Sequence, residues 1–326
     1  MQSLLNYNTF GIDQSCRKIY EPATVEELQA IIPILRKEPL LIIGGGSNLL
    51  LTKDFDGNVL HPVIKGIEQS GELLRCGAGE TWDDVVEYAV NNGLYGIENL
   101  SVIPGDVGAS VVQNIGAYGV EVQDVLYSIE AVEIATGEQV KISPAICEYG
   151  YRSSRFKGEW KGKYVITHVI YKLDSHFTPK VDYGNIRRVL EEKGIKTPTA
   201  RDVRSAIISV RNAKLPDPKV EGNAGSFFVN PVVTKEKFEQ LLAQYPDMPH
   251  YNISEKEEKI PAGWLIEQCG WKGKTLGMAG VHDKQALVLV NKGGAKGEDI
   301  VRLCNRIRSD VSERFGITIT PEVNIV

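Results

Sequence analysis

The run SVIPGDVGASVVQNIGAYGVE, residues 101–121, sets Gly105, Gly108, Gly116 and Gly119 among other small residues. Side chains this small fill an interior poorly, so the stretch reads as backbone wrapped around something flat and polar. A second cluster, GGGSNLL at 44–50, follows the short apolar run PLLII. Three glycines in a row let the main chain approach a ligand closely and turn successive N–H groups toward an anion. Taken alone, the same residues also read as a plain strand-to-loop turn. Neither cluster matches GxGxxG or GxxxxGK[ST], so neither a Rossmann nor a Walker site is supported. Two glycine-rich loops in one half of a chain point to a large dinucleotide.

The patterning around these loops indicates α+β architecture. TVEELQAIIPILRK opens with Thr24 as N-cap and Glu27 three residues on, a capping box whose helix meets Pro33 near its end. TWDDVVEYAVNNG repeats that grammar, with Thr81 as cap and Gly93 as stop. Between 124 and 173 the period shortens: SIEAVEIATGEQVKI reads as a hairpin around Thr136-Gly137, and KYVITHVIYKL as a further strand. Helices return at DYGNIRRVLEEKG and at TARDVRSAIISVRNAKLPDP, which two prolines close. GNAGSFFVNPVV reads as turn plus strand, TKEKFEQLLAQYP and PAGWLIEQCG as helices, and ALVLVN as a buried strand. EDIVRLCNRIRSDVSERFG carries Ile300, Leu303, Ile307 and Val311 on one helical face. Helix and strand followed by strand-rich sequence fits α+β better than a regular doubly wound sheet.

A chain of 326 residues is long enough for about two or three domains, and the likeliest boundary falls between 174 and 200. Acidic residues exceed basic ones by 42 to 37, a net charge of −5 without a long basic run, which argues against nucleic acid as the main partner. Anionic ligands must then be met by local cations and backbone N–H groups. Five scattered cysteines without a CxxC pair imply reduced thiols rather than a disulfide frame or zinc site, and five histidines lack metal-ligand spacing. No basic stretch followed by an apolar core opens the chain, and no apolar run approaches about 18 residues. The expectation is a soluble cytoplasmic protein with no metal.

Three further stretches have a bland reading and a chemical one. Ser226, in GNAGSFFVNP, is either a turn hydroxyl ahead of a buried strand or a deliberately presented group. RSSRFKGEWKGK at 152–163 is either a solvated basic loop or part of a site. GITITPEVNIV alternates Ile317, Ile319, Val323 and Ile325 on one face, which leaves Glu322 on the polar face of a strand.

In order along the chain stand NTFGID, GGGSNLL, SVIPGDVGASVVQNIGAYG, YRSSRFK, KLPDPKVEGNAGSFFVNP, AGWLIEQCGWKG, QALVLVN and a terminal PEV. Together, from about residue 8 to 323, they resemble the UDP-N-acetylenolpyruvoylglucosamine reductase (MurB) family, in its longer subclass with a substrate-covering tyrosine loop. That resemblance implies a two-subdomain FAD-binding domain of the vanillyl-alcohol-oxidase (PCMH) type, at 1–66 and 67–184 with the PCMH-type region about 13–184. A C-terminal α+β substrate domain follows at 185–326, its terminal strand returning to the active site.

The resemblance also implies non-covalent FAD, NADPH as reductant, and an enolpyruvyl sugar nucleotide as the substrate of a cell-wall precursor reaction. No obligate protein partner is implied. The matched FAD segments comprise Gly44, Gly45, Gly46, Ser47, Asn48 and Leu49, then Pro104, Gly105, Ser110, Asn114, Gly116, Ala117, Tyr118 and Gly119. No histidine or cysteine for covalent attachment lies in 44–50 or 101–119. Ser226 matches the family's proton donor, Arg152 its active-site arginine and Glu322 its catalytic glutamate. Tyr183, Lys214, Asn230 and Gln285 match its substrate-binding positions. One departure is Ser153, where the family often has an acidic residue beside the arginine. Two competing readings are an oxidase of sugars or lactones on the same FAD fold, and a non-catalytic nucleotide-binding regulator.

Overall fold

The computed structural model describes residues 1–326, which cluster into two compact units. The first takes residues 1–2, 16–45 and 55–213; the second takes 3–15, 46–54 and 214–326. The boundary expected at 184/185 thus falls instead after residue 213. Two helices explain the displacement. Ile186–Glu192 and Ala200–Lys214 bury Ile186, Leu190, Val203 and Ile207 in one small core within the first unit. Arg204 then ties the longer helix down through a fork onto Asp83, with Nη1–Oδ1 2.6 Å and Nη2–Oδ2 2.9 Å.

The first unit contains two sheets. Strands Ser15–Tyr20, Phe55–Leu60 and Leu40–Ile42 run parallel, with Lys18 opposite Asn58 and Leu41 opposite Val59. Helix Val25–Leu35 makes the crossover and buries Leu28, Ile32 and Leu35. Thr24 caps it by accepting from the Glu27 N–H, while the Glu27 carboxylate reaches back to the Ala23 N–H. The second sheet is antiparallel, in the order Gln139–Ile142, Leu126–Glu133, Tyr164–Lys172, Leu73–Gly77, Ile67–Ser70. Its hairpin pairs Ile129 with Ile142 and turns through Gly137 at φ +82°, as the sequence suggested. Helix Trp82–Asn91 covers this sheet, with Trp82 packed edge-on against Tyr171. The Thr81 hydroxyl does not cap that helix. Instead, the Asp83 side chain bridges the Val102 N–H and the Arg204 fork.

In the second unit, helix Gly297–Phe315 lays Ile300, Leu303, Ile307 and Val311 into one core with Phe227, Phe228, Leu265 and Leu289. Each such side chain contributes roughly 1.5–3 kcal/mol by leaving water. The helix packs on a sheet ordered Asn223–Ser226, Val288–Asn291, Ala279–Val281, Thr275–Leu276. A smaller sheet pairs Val232–Thr234 and Tyr251–Ser254 with Glu257–Lys259. Glu258 anchors it: Lys235 first, then His250 and Asn252, hold its carboxyl down to a pKa of about 2. No helix is long and apolar enough to cross a membrane.

Candidate active site

Gly44 and Gly45 leave strand Leu40–Ile42 and lie against residues 105–109. A Cβ added at Gly44 would sit 3.2 Å from Ala109 Cβ, and one at Gly45 3.1 Å from Asp106 Oδ1. The first glycine loop therefore lies close against the second, with little room for larger side chains at Gly44 and Gly45. Gly46 has φ +66°, and a Cβ there would lie 2.1 Å from the Tyr7 carbonyl oxygen, so no other residue fits. The N–H groups of Gly44, Gly45, Gly46 and Asn48 donate to no group of the protein. A row of uncommitted donors on glycine backbone is what a diphosphate requires, so these residues fit FAD.

Beyond that loop, Asn48 joins the carboxyl end of the chain. Its carbonyl accepts from the Asn324 N–H at 3.1 Å, its amide donates to the Glu322 carbonyl at 3.3 Å, and Leu49–Leu50 runs parallel to Asn324–Ile325. Glu322 in turn donates its N–H to the Phe227 carbonyl at 2.8 Å, and Phe228 bridges to Pro321. The continuous strand expected over 316–326 does not form. Pro321 has no N–H, and the segment splits into one stretch paired with 227–229 and another with 48–52. Ile317, Ile319 and Val323 are buried, but Ile325 at 43% exposure leaves the expected apolar face.

Ser226 ends strand Asn223–Ser226, opposite Val288. The strand precedes the aromatic pair rather than containing it, because Gly225 at φ +67° and the Asn223 amide turn the chain between the two register positions. The result presents Ser226 at the surface while the next two residues, Phe227 and Phe228, are fully buried. Ser226 and Glu322 thus flank one backbone link in the second unit. Asn230 follows Ser226 by four residues, and Gln285 stands three before Val288, the partner of Ser226 across the sheet. The Asn230 side-chain Oδ1 accepts from the Ala262 N–H at 2.9 Å, and Gln285 Oε1 would meet a Cβ on Gly263 at 3.2 Å. Both amides therefore gather at the start of helix Ala262–Gln268, beside a glycine the sequence did not single out.

Arg152 belongs to the first unit and adopts φ +54°, a conformation that costs an arginine on the order of 1 kcal/mol or more. Its Nη2 donates to the Gly116 carbonyl at 2.7 Å and its Nη1 reaches the Asn114 carbonyl at 3.4 Å. Two main-chain carbonyls thus take part in orienting the guanidinium. Gly116–Ala117 pairs with Val120–Glu121 through a two-residue turn in which Tyr118 and Gly119 both have positive φ. Tyr183, 40% exposed, lies over Gly119, and Gly184 lies over the Tyr118 ring. The Tyr118 hydroxyl meets Arg211, a cation from helix Ala200–Lys214 whose pKa burial lowers.

Two of the expected FAD positions are spent inside the protein. The Asn114 amide bonds Glu121, Gly150 and the Gln123 N–H, and the Ser110 hydroxyl donates to the Val107 carbonyl beside Tyr171. Their side chains shape the loop. Lys214 is exposed at the last residue of its helix. Sequence reading missed the Arg211–Tyr118 contact and an ion pair between His61 and Asp106 beneath the glycine loops. Neither has a local signal, since the partners stand 93 and 45 positions apart.

Comparison with known proteins agrees with this division of labour. Residues 17–143 match the model of an FAD binding domain, and residues 217–326 match that of the UDP-N-acetylenolpyruvoylglucosamine reductase C-terminal domain. The chain is 52% identical to the UDP-N-acetylenolpyruvoylglucosamine reductase of Bacteroides fragilis over 331 aligned residues, covering 99% of this chain and 98% of the relative. The enzyme of that name from Flavobacterium johnsoniae is 47% identical, at 99% and 98% coverage, and that from Neisseria gonorrhoeae 46%, at 98% and 95%. Among solved structures, the reductase from Thermus caldophilus superposes with a TM-score of 0.71 at 24% identity, covering 99% of this chain and 96% of that one.

Proposed function

This chain belongs to the UDP-N-acetylenolpyruvoylglucosamine reductase family, and from that premise we propose that it reduces the enolpyruvyl ether of that sugar nucleotide to UDP-N-acetylmuramate, a peptidoglycan precursor, using NADPH. The observation that carries the reading is the 2.8 Å bond from the Glu322 N–H to the Phe227 carbonyl, which sets the proposed acid beside Ser226. FAD, held at the glycine loops, would supply the hydride chemistry that links NADPH to the terminal vinyl carbon. Every other task falls to side chains of this chain.

Hydride addition leaves negative charge on the carbon that bears the carboxylate, an enolate of a carboxylate. Such a strong base is quenched by a weak acid, and a serine hydroxyl is protonated at every physiological pH. Ser226 gives its proton to that carbon. Phe227 and Phe228, buried immediately after it in the chain, would limit competition from water on their side. Arg152 meets the substrate carboxylate with a planar fork already oriented by two carbonyls. Glu322, as a neutral acid, takes a share of the enolate charge. Tyr183, Lys214, Asn230 and Gln285 hold the uridine diphosphate.

The purified protein should be yellow, and acid precipitation should release the colour into solution. Under nitrogen, NADPH should bleach it and the enolpyruvyl sugar nucleotide should restore the absorbance. A protein that recovers its colour as fast in air alone is an oxidase of the same fold, and the proposal fails.

Lys214 and Tyr183 test the division between binding and chemistry. The diphosphate is unchanged by the reaction, so Lys214→Ala and Tyr183→Phe should raise KM for the sugar nucleotide more than they lower kcat. A large fall in kcat at constant KM would place Lys214 in the chemical step instead.

A further inference from the structure

His61 follows strand Phe55–Leu60 and stands between two carboxylates. Its Nε2 lies 3.3 Å from Asp106 Oδ2 and its Nδ1 3.2 Å from Glu21 Oε1. A neutral imidazole has one N–H and donates once; both nitrogens facing carboxylates calls for the doubly protonated ring. Glu21, just after strand Ser15–Tyr20, and Asp106, just before helix Val107–Gln113, are charged groups that face it. His61 and Asp106 are shielded, at 18% and 16% side-chain exposure, whereas Glu21 is more open at 44%.

Asp106 is also the residue against which the first glycine loop rests. Its two oxygens lie 3.1 and 3.3 Å from the Cβ positions of Gly45 and Gly44. Asp106 therefore puts a carboxylate in contact with the loop whose backbone donors fit a diphosphate, where a negative charge would repel the ligand. The imidazolium in contact with it cancels that charge and fixes the carboxylate under the loop. Nothing in the reduction of the substrate uses either residue.

We propose that His61, in its protonated form, is a positioning residue of the FAD site: it neutralises and anchors Asp106 beneath Gly44 and Gly45, and its loss of a proton loosens FAD. The inference rests on this chain being a flavoprotein, which the colour of the purified protein decides independently. The sign follows from linkage. The hydrogen bond to Asp106, the largest influence, raises the His61 pKa above its ordinary 6.5. Its contribution is complete below that value and disappears as pH rises through the raised one. Above it, an uncharged ring stands between the two carboxyl groups.

The test uses yellow holoenzyme diluted to nanomolar concentration across pH 6 to 9, with released flavin read by its fluorescence. Wild-type enzyme should hold FAD about tenfold more weakly at the alkaline end, the size of one modest partly buried charge interaction. His61→Gln should be as weak at pH 6 as wild type is at pH 9, and flat between. Asp106→Asn, which removes the charge that needs cancelling, should be flat at the tight value. A wild-type dissociation constant independent of pH overturns the proposal, as does an unchanged pH slope in His61→Gln. If His61→Gln does not fold, as judged by circular dichroism, Asp106→Asn decides alone: a retained slope or a loss of FAD refutes the role.

Discussion

Ser226→Ala should bleach with NADPH at close to the wild-type rate and then fail to recover its colour when the enolpyruvyl sugar nucleotide is added. Loss of a general acid typically costs about 10²–10⁴-fold, and the upper end is expected here. The reason lies in how the hydroxyl is presented. It sits at the surface on the last residue of its strand, immediately before two fully buried phenylalanines. The backbone around it is held by the Phe227 N–H to the Leu287 carbonyl and by the Phe227 carbonyl to Glu322, both at 2.8 Å, so removing one oxygen should not disturb the fold. Ser226→Cys keeps a proton at nearly the same place and should retain part of the activity. Stopped-flow traces decide the matter. Equal slowing of bleaching and recovery in the alanine variant would mean that Ser226 supports the flavin site generally, not the protonation step.

How legible this was in the sequence depends on the range of the interaction concerned. The long helix Gly297–Phe315 could be read directly, because Ile300, Leu303, Ile307 and Val311 recur at the helical period and bury one face. The Thr24–Glu27 box and the Gly137 hairpin were legible for the same reason, since each is closed by residues within a few positions of one another. Thr81 shows where that logic stops. It has the residue type and place of an N-cap, but Val102 and Arg204 claim the neighbouring Asp83 from 19 and 121 positions away. The same applies to the domain boundary. Composition shifts near 174–200, yet helices at 186–192 and 200–214 find their apolar partners in each other and their anchor at Asp83. Segments 3–15 and 46–54 pass into the second unit because backbone pairs such as Thr9 with Gly46 and Asn48 with Asn324 hold them there. No periodicity marks such pairs. The site residues were named through resemblance of motifs; the structure adds what those motifs leave out, such as the Gly116 carbonyl that the Arg152 guanidinium meets at 2.7 Å.

Glu322→Gln and Glu322→Asp should both remain yellow and folded, and both should lose at least about 10²-fold in recovery of colour by substrate. A glutamate on the polar side of a terminal segment would ordinarily be a solvent-facing residue of no consequence, and its glutamine variant would be silent. Three observations move it away from that reading. Its N–H is tied to the Phe227 carbonyl, its carbonyl accepts from the Asn48 side chain, and the residue is only half-exposed, so the backbone that carries it is fixed on both sides. Because the tether is at the backbone, neither substitution frees the segment, and the two variants isolate the side chain. Glutamine keeps the length and can still donate a hydrogen bond to the developing oxyanion, but it has no proton to share. Aspartate keeps the acid and falls short by one methylene, and displacement of a catalytic group by about 1 Å can cost on the order of 10²-fold. Bleaching by NADPH needs neither property and should be far less affected. The two half-reactions of both variants, measured side by side, separate the outcomes. Loss in Glu322→Asp alone would assign the residue to orientation, loss in both assigns it to the shared proton, and wild-type recovery in both variants would return it to the solvent.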